Sequence, residues 1–224
     1  MHAASSLHHI RKYVLRQLTM TKWARFRDLR PKNVDSNLYN YHLKELIKDG
    51  FVEHDKEKGY RLSPMGLRYV DHISLETFEP RWQPKIVTVF VTHDKVGRVL
   101  MWPKYKQPFI DKFSLPSGKM HYDDESVESA LNRELSYFLS TRPSNIKHVG
   151  VMEYRAFIDD ILVTHTIAHV FNGDVSQVPI LSDRLHWIDL KSLKDTDMSP
   201  GTKQTIDAVK NHTTFFFEKH DINW

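Results

Sequence analysis

Phe113-Ser114-Leu115-Pro116-Ser117-Gly118-Lys119, then Glu125, and after seven further residues Arg133-Glu134-Leu135, is the stretch on which the reading of this chain turns. A loop punctuated by proline and glycine runs into a helix expected over residues 124–139, and Asp123, Asp124 and Glu125 gather at its start, where acids meet the positive end of the helix dipole. Working outward, residues 86–91 form a β-branched run that reads as a buried strand, 94–97 as a turn and 99–102 as the return strand of a hairpin. Further strands are expected at 149–157, 161–171 and 186–188, and Ser199-Pro200 opens a last helix to about residue 211. Strands and helices in this order make an α+β domain.

The quoted stretch resembles the Nudix family, whose box runs Gly, five residues, Glu, seven residues, Arg-Glu, an aliphatic residue, any residue, Glu-Glu, any residue, Gly. Residues 113–119 are similar to the "WxLPGGK" segment that precedes it, and Leu185-His186-Trp187-Ile188-Asp189-Leu190-Lys191-Ser192-Leu193 to a late "WvxxdeL" segment, so the likeness spans 84 to about 210. The resemblance implies a mixed sheet sandwiched by helices. It also implies hydrolysis at magnesium held by clustered glutamates, because a hard cation needs oxygen ligands. Here Tyr137-Phe138 stands where the family has Glu-Glu, Ser140 replaces the last glycine, and six residues separate Gly118 from Glu125. The residual box is Gly118, Glu125, Arg133 and Glu134; the expectation is no catalytic residue, no metal ligand and no cofactor, with magnesium entering only if Asp123, Asp124, Glu128 or Glu153 substitutes. Lys104 ends the strand at 99–102, where the family often has a phosphate-directed Arg, and with Gly118 and Lys119 forms the expected ligand-binding set; Lys106 lies near the same mouth. His165 and His169 share a strand face, but four strand residues span about 13 Å, too far for one ion. The apolar tail Phe215-Phe216-Phe217 and Trp224 is expected to pack on the core or on a second copy.

The N-terminal part has a different pattern. Leu7, Ile10, Val14 and Leu18 recur at helical spacing, and Trp23, Phe26 and Leu29 extend it in a shorter helix stopped by Pro31. A third helix, capped by Asp35 or Ser36 and ended by Gly50, turns Tyr39, Leu43, Leu46 and Ile47 inward and leaves Asn37, Asn40, Tyr41 and Lys44 outward. A hairpin follows over 51–63, and Ser63-Pro64 starts a last helix. Residues 41–52 with 60–66 resemble the winged-helix repressors of the ArsR and MarR type, "hLxxLxxxGxv" followed by "yxLTxxG". The resemblance implies double-stranded DNA as partner, read by Asn37, Asn40, Tyr41 and Lys44, with Lys56 and Lys58 of the wing on phosphates, and a homodimer on a two-fold site.

Charge supports that division. The formal net charge is +4, and residues 1–80 hold 14 Lys and Arg against 10 Asp and Glu, so the whole excess lies there. The apolar share of 40% excludes a disordered chain, zero cysteines exclude disulfides and thiolate zinc, and no apolar run is long enough to span a membrane. The expectation is a two-domain cytoplasmic protein, a winged helix over 1–78 and a Nudix-like domain over 79–224. It is expected to regulate transcription in response to a nucleotide or nucleotide sugar. Known regulators of NAD and sugar metabolism join the same two parts, usually in the reverse order. The alternative is a Nudix pyrophosphohydrolase of nucleoside-diphosphate compounds with an N-terminal adaptor.

Overall fold

The computed structural model describes residues 7–74, 76–79, 82–140, 142–175 and 185–224. The chain divides into two compact units, Met1–Trp82 and Gln83–Trp224, against an expected boundary at 78/79. Among the described residues no helix is long and apolar enough to cross a membrane.

In the first unit α1 (His9–Thr19) precedes a single 3-10 turn (Phe26–Leu29) and α2 (Ser36–Lys48). Asp35 caps α2 by accepting from the amides of Asn37 and Leu38. A hairpin of β1 (Val52–Asp55) and β2 (Gly59–Leu62) leads to α3 (Pro64–Asp71), whose first turn is capped by Ser63. The buried stripe of α2 is Tyr39, His42, Leu43 and Leu46, a 3.6-residue period that uses His42 and leaves Ile47 at the rim. These side chains pack with Ile10, Val14, Leu15, Leu29 and Val52 into one core. Phe78 also belongs to it, beyond the helix, under the guanidinium of Arg16 at 5.4 Å.

The second unit holds two sheets. The larger has the order β10-β7-β8-β3-β6, built from β3 (Lys85–Val91), β6 (Ser117–Lys119), β7 (Ser144–Ile158), β8 (Ile161–Asp174) and β10 (Phe216–Asn223). The smaller has the order β5-β4-β9, from β4 (Val99–Pro103), β5 (Phe113–Ser114) and β9 (His186–Ile188). β3 runs parallel to β8 and β10 parallel to β7, the other pairs being antiparallel, so the larger sheet is mixed. Helix α4 (Val127–Leu135) brings Leu131 and Leu135 to Phe90, Leu100 and Phe171; α5 (Thr202–Asn211) brings Ile206 and Ala208 to the cluster of Val89, Val91, Met152 and Val170. β3 thus sends Val89 and Val91 to one core and Phe90 to the other, which is why its sequence is a continuous apolar run.

Three expectations change. The strands at 86–91 and 99–102 turn at His93, bridged to Val99, but then part into different sheets rather than forming a hairpin. Helix α4 is shorter than 124–139 because Ser126 supplies an N-cap, exchanging hydrogen bonds with Ser129, and the helix stops at Ser136; Tyr137 and Phe138 lie in the turn that follows. The apolar tail is mostly strand: β10 buries Phe216 and exposes Phe217, and Phe215, just before it, is exposed too.

One close approach in the first unit gives a test. Ala24 and Tyr60 exchange backbone hydrogen bonds of 3.0 and 2.9 Å, and a Cβ on Gly59, whose φ is +100°, would lie 2.3 Å from the Ala24 carbonyl oxygen. Gly59→Ala is expected to destabilise this unit by on the order of 3 kcal/mol, read by denaturant unfolding; a loss under about 1 kcal/mol would show that the contact yields freely.

Candidate anion-binding site

The sheet order of the second unit sets a cavity of about 260 Å³ against one face of β3, β6, β7 and β8. Alternation along β3 turns Lys85, Val87 and Val89 into it, and pairing with β6 places Lys119 opposite Val87. The loop after β4 adds Lys104 and Lys106. The floor is hydroxylic: Thr164 and Thr166 lie 3.3 Å apart, Tyr154 bonds to Thr166, and Ser199 and Thr202 lie 2.9 Å apart at the start of α5. Among the described residues lining the cavity there are four lysines and no carboxylate. Burial, with Lys104 and Lys119 beside it, pushes the Lys85 ammonium below the usual lysine range, and burial does the same to Lys104. Desolvated ammoniums of one sign make a site for an anion.

Lys104, Gly118 and Lys119 therefore meet in one cavity, as the sequence reading grouped them. Lys85 was missed, since on its own it is the polar residue before an apolar run; only its phase with Val87 and Val89 could have revealed it.

The residual box lies beside the cavity and is locked. Arg133 donates from Nε and Nη2 to Asp124 at 3.1 and 2.9 Å and from Nη2 to the Lys119 carbonyl at 2.9 Å, and pairs with Glu134. The acid that ties loop to helix is thus Asp124, separated from Gly118 by five residues as in the family box, and not Glu125, which is exposed. The extra residue falls between this acid and Arg133, which eight residues separate here, rather than after Gly118. Glu134 lies over Gly118, where a Cβ would sit 1.9 Å from its Cδ. Tyr137 is exposed and Phe138 packs on Trp102 at 5.6 Å, so neither position offers a carboxylate.

The substitute acids stand elsewhere. Asp123 and Glu128 are exposed, and Glu153 lies on the strand face opposite Tyr154, 3.1 Å from His165. His169 lies 3.3 Å from His148. Among the described residues no group of three His, Cys, Asp or Glu is placed to hold a metal ion. The residues do not fit a magnesium cluster.

In the first unit Asn37, Tyr41 and Lys44 are exposed on α2, with Leu38 beside them, while Asn40 is half-buried. Lys56 and Lys58 are exposed on the hairpin turn. The Asp55 carboxylate accepts from the amides of Glu57 and Lys58 and is absorbed by the turn. Arg11 pairs with Glu45 and Asp49, which removes it from the basic surface.

Arg133 holds the Asp124 carboxyl at about 2, well below its ordinary 3.8. A carboxylate with a depressed folded-state pKa adds stability above its unfolded pKa and loses it as pH falls through the folded value. The difference in stability between the native chain and Asp124→Asn is therefore expected to be full above pH about 4 and gone near pH about 2. Acid unfolding of both proteins checks this; a difference that persists at pH about 2 contradicts it.

The profile of the NUDIX domain matches residues 82–209. Among solved structures, the NUDIX domain of Shewanella oneidensis NrtR complexed with ADP ribose is 17% identical over 64% of this chain and 96% of that one, with a TM-score of 0.48. A MutT protein from Bacillus halodurans is 19% identical over 61% and 89%, with a TM-score of 0.48. A MutT NUDIX hydrolase from Burkholderia pseudomallei is 22% identical over 57% and 99%, with a TM-score of 0.47. No curated protein matches the sequence. Its Gly118, Asp124, Arg133 and Glu134 framework sits within the matched span, and the chain belongs to the NUDIX family through residues 82–209.

Proposed function

We propose that this protein is a DNA-binding regulator whose NUDIX domain binds a phosphate-bearing metabolite, a nucleotide or nucleotide sugar, without hydrolysing it. The observation that carries the reading is the cavity with four lysines and no carboxylate, beside a box in which Tyr137 and Phe138 occupy the metal-binding positions. A magnesium bridge between acids and phosphate is replaced by direct ammonium contacts. The apolar walls at Trp102 and Phe109 suit the base or sugar of such a ligand.

The order of elements in the first unit supports a winged helix. α2 follows a short turn, β1 and β2 form the wing, and Ala24 adds a bridge to Tyr60 as the start of a third strand. α2 carries Asn37, Tyr41 and Lys44 outward for base edges, with Asn40 at the margin, and the wing carries Lys56 and Lys58 toward phosphates. Exposed Lys22, Arg25, Arg27, Arg30 and Lys32 enlarge the cationic surface. A two-fold operator makes a homodimer the working form.

Calorimetry with ADP-ribose and nucleoside-diphosphate sugars tests the cavity. Lys104→Ala is expected to weaken binding about tenfold or more, as loss of a charge-assisted contact does. Turnover of the same compounds with magnesium or manganese should stay at background; metal-dependent hydrolysis abolished by Glu134→Gln would establish the pyrophosphohydrolase instead.

On DNA, Asn40→Ala is expected to cost about 1–3 kcal/mol at the specific site, whereas Lys56→Ala weakens all sequences alike and flattens the salt dependence. Duplex binding that is absent, or indifferent to salt, overturns the regulator. A ligand that changes DNA affinity must have its own affinity changed by the same factor when DNA is present.

A further inference from the structure

The loop of residues 104–112 carries Lys104, Lys106 and Phe109 into the cavity. It closes on itself, the Lys104 amide donating to the Lys112 carbonyl at 2.9 Å and the Asp111 amide to the Lys104 carbonyl at 2.7 Å. Phe109 and Asp111 both stand in the left-handed region, at φ +67° and +64°. Aspartate tolerates that conformation; a bulky residue holds it only where its surroundings fix it.

What fixes Phe109 comes from outside the loop. Its buried ring meets the ring of Trp224 edge-on at 4.9 Å, and Lys104 Nζ lies 5.9 Å from its centroid. Lys112, at the other end of the loop, sets its ammonium 5.1 Å over Trp224 and donates to the Thr196 carbonyl at 2.7 Å. Trp224 is anchored in turn, its amide donating to the Phe157 carbonyl at 2.9 Å where β10 runs along β7. Its ring borders a second cavity, of about 390 Å³, and is not among the residues that line the first.

We propose that Trp224 is a positioning residue for the anion cavity: through Phe109 it holds the loop in the form that presents Lys104 and Lys106 to the ligand. Affinity is then set in part by a ring that does not touch the bound molecule. The inference rests on the reading of the cavity as a phosphate site, and preorganisation is its physical basis.

The test uses the full chain, pyrophosphate as probe and amide hydrogen exchange. Trp224→Ala is expected to weaken pyrophosphate binding about tenfold and to speed exchange of the amides of 105–112, while β3 and β8 keep their protection. Trp224→Phe should restore most of both. Phe109→Asn removes the ring that Trp224 touches and keeps a residue suited to the left-handed backbone, so in that background Trp224→Ala should lose most of its effect, keeping only the part carried by its contact with Lys112. Should Trp224→Ala loosen β3 and β8 too, Trp224→Leu takes its place in the same cycle. A loss of the same size in both backgrounds, or loop exchange unchanged by removal of the indole, overturns the proposal. If the native chain fails to bind pyrophosphate, the cavity reading falls, and the exchange comparison still decides whether Trp224 holds the loop.

Discussion

The guanidinium of Arg133 ties the NUDIX domain together. One planar group reaches Asp124 in the loop, the Lys119 carbonyl at the end of β6 and the neighbouring Glu134. That fork fixes the loop against α4 and holds β6 beside β3, which in turn sets where Lys85 and Lys119 face. Gly118 is part of the same arrangement, since any side chain there would displace Glu134. The family framework therefore has work to do in this chain without any metal. Its acids are absorbed in the knot, and cations are left to line the cavity.

Four ammoniums around one cavity repel each other, least screened at the half-buried Lys85 and Lys104. Burial lowers both Lys85 and Lys104, and at Lys85 the charges of Lys104 and Lys119 lower it further. On the proposed reading, a phosphate relieves the repulsion by supplying the opposite charge, and the liganded domain gains stability by mass action. The hydroxyls of Thr164, Thr166, Ser199 and Thr202 leave this field unneutralised and already bond among themselves, which keeps the floor rigid.

How much of this could be read beforehand followed from the range of the interactions. Periodicity found α1, α2, the hairpin and the C-terminal end of α5, because cap and stripe are local, whereas α5 begins at Thr202 after a left-handed Gly201 and not at Ser199-Pro200. It placed Ile47 inside instead of His42, since a stripe two residues wide at that point admits either, and tertiary packing decides. The box position of Glu125 was misjudged because residue type outweighed spacing: Asp124 has the family's spacing from Gly118, and only its hydrogen bonds to Arg133 identify it. Helix α4 starts late because Ser126 caps it, a residue that competes with Asp124 in the sequence, and it ends at Leu135, before Tyr137. Lys85 and β10 were illegible for a different reason. Both depend on which strands become neighbours, a fact of topology that the alternation of Lys85, Val87 and Val89 records only once the sheet order is known.

Loss of the glutamate pair has two effects that favour the same outcome. Removing the glutamate pair takes away the charge that would bind magnesium, and it also takes away the charge that would repel a bare diphosphate from the nearby lysines. On the proposed reading, one substitution set serves both ends: it disfavours metal-dependent catalysis and favours unassisted anion binding. For a device that reports a metabolite's concentration this combination matters, because a site at binding equilibrium reads the ligand, whereas a site that turns it over reads a steady state set by its own rate. On the proposed reading, a locked acid knot beside an open basic cavity suits equilibrium reading.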